Sequence, residues 1–126
     1  MRRKSTAVFG VVFGFLLLAL PVLAHHSFEA EFDGSKTLTL KGVVSKVDWT
    51  NPHVYIYLDV KDAEGKVTTW AIESHPTGRM HLAGITRQML GEGQTVTAEV
   101  FPAKDGSKSL GNLHKITFAD GHFIQM

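Results

Sequence analysis

From residue 37 onward, apolar side chains recur at every second position in short runs, and each run is closed by glycine, proline, asparagine or aspartate. That is the pattern of half-buried β-strands joined by turns. In "TLTLKGVVSKVDW", Leu38 and Leu40 share one face, while Val43, Val47 and Trp49 share a face in the opposite phase. A one-residue slip near Gly42, a β-bulge at a glycine, would reconcile the two halves and bend the strand. Pro52 in "TNP" marks a bend, since proline cannot sit in a central ladder. "HVYIYLDV" alternates most cleanly: Val54, Ile56, Leu58 and Val60 point one way, and His53, Tyr55, Tyr57 and Asp59 the other. "VTTWAIE" predicts a third strand with Trp70 and Ile72 in phase. "TVTAEVFPA" predicts a fourth with Val96, Ala98 and Val100 inward. "LHKITFA" predicts a fifth, and a turn at Asp120 and Gly121 leads into a short last strand over residues 122–124.

Residues 74–93 break the alternation. Pro76, Gly78, Gly84, Gly91 and Gly93 suit a connection with one or two short helical pieces, and Thr86 is placed to cap a turn over residues 87–90. The order is therefore three strands, a helical connection and two more strands, with a long, bent first strand. This predicts a mainly β chain folded as a small OB-like five-stranded barrel, with residues 37–126 as the domain. An open β-sandwich would satisfy the same alternation.

The first 24 residues follow a different rule. Arg2, Arg3 and Lys4 precede an almost wholly apolar run over residues 7–20, then Pro21 and a compact "VLA". This is the arrangement of a signal peptide cut after Ala24. The run is short for a membrane span, and polar "HHSFEAEFD" follows at once. Residues 25–36 then form an N-terminal arm, and the expected location is periplasmic or secreted, with no membrane span after cleavage. Cleavage also changes the charge. The whole chain has 13 basic and 12 acidic side chains; losing Arg2, Arg3 and Lys4 leaves a net charge of −2 with neutral histidines. Single-strand nucleic acid is a disfavoured partner on that balance, because phosphate binding needs a positive field. The chain has no cysteine, which excludes disulfides, thiolate metal sites and cysteine nucleophiles.

Seven histidines are the chemistry-bearing feature. No HExxH, GxSxG, paired-carboxylate or glycine-rich phosphate loop is present, so no catalytic constellation is visible. His25 would become the first residue after cleavage, and its α-amine and Nδ1 can chelate one ion. A further imidazole from His26 or His53 would complete a nitrogen-rich set suited to copper or zinc. The alternative for His25 and His26 is a solvated chain end. His53 begins the second strand on the face of Tyr55 and Tyr57. Together with Trp49 these tyrosines are candidates for an aromatic ligand face; a half-exposed strand with good β-formers is the plainer alternative. His75 and His81 read as polar loop residues, His114 as a core or bulge histidine, and His122 as exposed.

The stretches "HHSFEAEFD", "LKGVVSKVDWTNPHVYIYLDV", "FPAKDGS" and "ITFADG" together resemble a family of small exported bacterial proteins of unknown function. The resemblance implies export and domain extent, and offers His25, His26 and His53 as matching positions without assigning them roles. "ESHPTGRMHLAGITRQML" departs from the pattern, which weakens His75 and His81 as ligands. Two functions are expected: an exported, non-catalytic domain binding copper or zinc through the mature N-terminus, or a metal-independent module that binds a small ligand or protein partner through His53, Tyr55 and Tyr57.

Overall fold

The computed structural model describes residues 28–126. Residues 28–31 make a single helical turn, and the barrel unit is Phe32–Met126. The expected cleavage point, His25 and His26 lie outside the described residues.

Six strands follow: β1 (Leu38–Asp48), β2 (Tyr55–Lys61), β3 (Val67–Glu73), β4 (Thr95–Pro102), β5 (Leu110–Phe118) and β6 (Phe123–Gln125). One short helix, α1 (Thr77–Leu82), connects β3 to β4. The strands pair in the order β3-β2-β1-β4-β5-β6, and an additional parallel pairing of β3 with β5 closes the first five into a barrel. That is the OB-like architecture expected from the strand order. Closure leaves the five-stranded wall with no continuous open edge. Among the described residues no helix is long and apolar enough to cross a membrane.

Alternation is set by burial. Val54 just before β2, Ile56 and Leu58 of β2, Ile72 of β3, Val96, Ala98 and Val100 of β4, and Leu113 and Ile116 of β5 meet in one core. A fully buried side chain of this size contributes about 1.5–3 kcal/mol. Met80, Ile85 and Leu90 from the connection plug the same core. Phe32 is also buried and bridges to Ala103 beyond the end of β4.

The expected slip in β1 exists, but three residues later than the glycine. Leu40 and Val44 are buried and Val43 is 43% exposed, so Val43 does not share the inward face with Val47. The register breaks between Val44 and Lys46, where Ser45 is the extra residue; its hydroxyl donates to the Tyr57 carbonyl at 3.2 Å. Gly42 has a different task. There β1 passes so close to β2 that a Cβ would collide with the Asp59 backbone carbonyl. A second slip between Glu99 and Val100 makes His114 the bulged residue of β5, which explains a histidine in an otherwise core-phased run.

Helix α1 ends in a Schellman arrangement. Gly84 has φ +91°, its N–H donates to the His81 carbonyl, and the N–H of Ile85 donates to the Met80 carbonyl at 2.9 Å. Turn residues 87–90 follow, with the Met89 N–H donating to the Thr86 hydroxyl at 3.3 Å.

Gly42→Ala should lower the unfolding free energy by about 2–3 kcal/mol, because the obstructing atom is backbone and cannot rotate away. Gly78→Ala, with open space around it, should leave stability unchanged or slightly higher. Urea denaturation of the two variants checks both.

Candidate functional site

The loop of residues 49–54 sets the site. Thr50 and Asn51 hold it in shape. The Thr50 hydroxyl donates to the His53 carbonyl at 3.4 Å, and Asn51 Oδ1 accepts from the N–H and hydroxyl of Thr77 at 3.0 and 3.1 Å. Helix α1 has Pro76 at its N-cap and no side-chain cap from its own chain segment, so Asn51 satisfies one orphan N–H from across the barrel end. The Val54 N–H donates to the His75 carbonyl, and the Ser74 N–H donates back to the Val54 carbonyl, which extends the β2 and β3 ladder to this end.

That ladder places Tyr55 opposite Glu73. Glu73 is one of two buried polar residues among those described, the other being Ser74. Its carboxylate is held from both sides: His53 Nδ1 lies 2.6 Å from Oε1, and the Tyr55 hydroxyl donates to Oε2 at 3.0 Å. A carboxylate only accepts, so Nδ1 carries the hydrogen of that contact and Nε2 is the nitrogen with the free lone pair in neutral imidazole. His53 remains 43% exposed at its side chain, so Nε2 is within reach of solvent or a ligand. Asn112 of β5 pairs with Glu73 on its other flank.

His75 lies behind this pair. Burial first, then the charge of Arg79, then His53, hold its imidazole below the ordinary histidine value of 6.5. Its neighbour Ser74 turns inward, and the hydroxyl donates to the Met80 sulfur at 3.1 Å.

The expected aromatic face is divided by this geometry. Tyr55 commits its hydroxyl to Glu73, and Tyr57 lies beneath Lys46, whose Nζ is 5.4 Å from the ring centroid. Lys46 in turn pairs with Asp48 at 2.9 Å, and the hydrogen bond to that carboxylate raises its pKa. Trp49 packs against the core instead, with the Arg87 guanidinium 5.6 Å above its ring and His81 at 6.4 Å. His114 sits against Phe101 at 4.7 Å and His122 stacks on Phe118 at 5.7 Å. Of the predicted site residues, the structure therefore brings His53 and Tyr55 together, through Glu73. Glu73 itself escaped the sequence reading, as did Asn51. Among the described residues no three histidine, cysteine or acidic side chains form a group that could hold a metal ion alone.

The chain belongs to the family of unknown function DUF6152, whose model matches residues 14–112. A search of curated proteins finds no match. Among solved structures, the chain is similar to the mitochondrial single-stranded DNA binding protein Rim1 from S. cerevisiae. The TM-score is 0.51 at 8% identity, covering 67% of this chain and 93% of that one. It is also similar to part of TiaS in its complex with an isoleucine tRNA and ATP, with TM-score 0.47 and 18% identity; that match covers 69% of this chain and 19% of TiaS. At 8% identity the likeness to Rim1 shows the fold alone.

Two measurements test the site. Tyr55→Phe should cost about 1 kcal/mol in urea denaturation and Glu73→Ala about 2, while Tyr57→Phe, which loses no such bond, stays within about 0.5. The second is pH dependence. A depressed His75 pKa means that the unfolded chain takes up this proton before the folded one does. The stability it contributes is whole above pH 6.5 and is lost as pH falls below that value toward the folded pKa. His75→Gln should flatten the acid side of the stability profile.

Proposed function

We propose that this chain is an exported, non-catalytic binding domain for a copper or zinc ion, with His53 Nε2 as the donor supplied by the barrel. The observation that carries this reading is the buried Glu73 carboxylate at 2.6 Å from His53 Nδ1. Metal-ligating histidines commonly donate their other ring nitrogen to a carboxylate, which fixes the tautomer and the ring and makes the donor nitrogen more basic. Tyr55 holds that carboxylate in turn, so the imidazole is oriented by a chain of two bonds. One imidazole is too few for a tight site. The remaining donors enter on sequence grounds alone: the α-amine and imidazole of His25, with His26 next to it, once the chain is cut after Ala24.

The metal-independent reading rests on the tyrosine face. Against it, the Tyr55 hydroxyl is taken by Glu73 and the Tyr57 ring is covered by Lys46. Rim1 is named for binding single-stranded DNA. With Arg2, Arg3 and Lys4 removed this chain carries a net charge of −2, a poor balance for a phosphate backbone.

Titration of Cu(II) and Zn(II) into the chain beginning at His25 tests the proposal. An added Met before His25 should weaken Cu(II) at least tenfold and change its visible spectrum, and His53→Ala should weaken it several-fold. Equal affinity and unchanged spectra across the three proteins would end the proposal.

A further inference from the structure

The barrel wall has one half-open stretch, and it lies away from His53. β1 pairs with β4 from Leu38 to Val43, but its pairing with β2 begins only at Val43. The first half of β1 thus has a strand on one side alone. Backbone direction follows from neighbouring bonds. The Val44 N–H donates to the Gln94 carbonyl and the Val44 carbonyl accepts from the Gly93 N–H, so Val44 addresses the β4 side. Directions alternate along a strand, so the backbone groups of Val43, Lys41 and Thr39 address the other side. Those of Val43 are met by Asp59; those of Lys41 and Thr39 have no strand opposite them among the described residues.

A surface groove of about 550 Å³ opens at this place, lined by Lys41, Gly42, Val43, Asp59, Lys61 and Val67 among others. Two apolar side chains of the lining are exposed, Val43 at 43% and Val67 at 48%. Its rim is basic. Lys41 and Lys61 are exposed, and neither takes part in an ion pair among the described residues. The acidic residue of the lining, Asp59, accepts from the Thr69 hydroxyl at 2.6 Å, and against it the two lysines leave the lining net positive.

We propose that this groove takes an extended acidic peptide segment, which adds a strand beside residues 38–42 of β1, with its carboxylates on the outer face toward Lys41 and Lys61. The open backbone groups supply main-chain pairing, and one face of the added strand meets the exposed side of β1 and β2 that carries Lys41 and Lys61. Charge decides the occupant. A second copy pairing through the same edge would bring the lysines of both edges into one strand pair, and an edge lysine is a common guard against such self-pairing. An acidic strand meets no such penalty.

The test uses the full chain and a fluorescein-labelled peptide of alternating valine and glutamate, eight residues long, with a valine and lysine peptide as control. Anisotropy should show saturable binding of the acidic peptide, at least tenfold tighter than the control and weakened by salt. Lys41→Glu should weaken it at least tenfold. Thr39→Pro removes an outward N–H without touching the β4 ladder, and should abolish binding while leaving the far-ultraviolet circular dichroism unchanged. Absence of saturable binding, equal binding of the two peptides, or indifference to Lys41→Glu would overturn the proposal. So would a concentration-dependent dimer in sedimentation that the acidic peptide does not dissociate, since the edge would then belong to a second copy.

Discussion

β1 bonds to β4 along its first half and to β2 along its second, and the handover falls at Gly42 and Val43. A single strand can serve both sides only if it coils sharply, and the coil brings the backbones of β1 and β2 into contact where any side chain would intrude. The bare backbone of Gly42 permits that contact, and the extra residue at Ser45 resets the phase so that Val47 again faces the core. The closed wall, the single core and the position of the loop that carries His53 all follow from this one strand.

Much of the architecture was legible because burial imposes a period of two on any strand with one wet face. β2 displays it without interruption, and the glycines and proline between β3 and β4 left room for nothing longer than a short helix. Phase was harder. Gly42 drew the slip toward itself because glycine and bulge so often coincide, yet here the glycine answers a steric need and Ser45 supplies the slip. Nothing local distinguishes the two, since the crossing of β2 is a long-range event. His114 is the reverse case: its two readings, core or bulge, were separable only once the partner strand β4 was in register.

The site was half legible for a similar reason. His53 and Tyr55 lie two apart at the entry to β2 and announce themselves by alternation. Glu73 closes another strand, where a charged residue reads as a terminator. Its burial depends on the β2 and β3 register, which sets it opposite Tyr55 and behind His53. A signal did exist: a carboxylate at the strand end that pairs with a histidine and a tyrosine on the adjacent strand. Using it requires knowing the hairpin register, which the loop after β2 leaves open in sequence. The outcome is a polar unit at the barrel mouth in which each member limits the freedom of the next, from Tyr55 through Glu73 to the imidazole. Asn51 pins the same loop to α1, so the two arms of the site move with the helix and the wall together.

The seam between β3 and β5 joins residues 71–73 to residues 110–112, and it is the parallel one. During synthesis the amino-terminal three strands emerge as an open meander in which Ala71, Ile72 and Glu73 have a partner strand on one side only. They stay so until the ribosome has delivered Asn112. Native protection of the core therefore arrives late and all at once, and a nascent chain stalled within β4 would expose two sticky borders for a chaperone to shield.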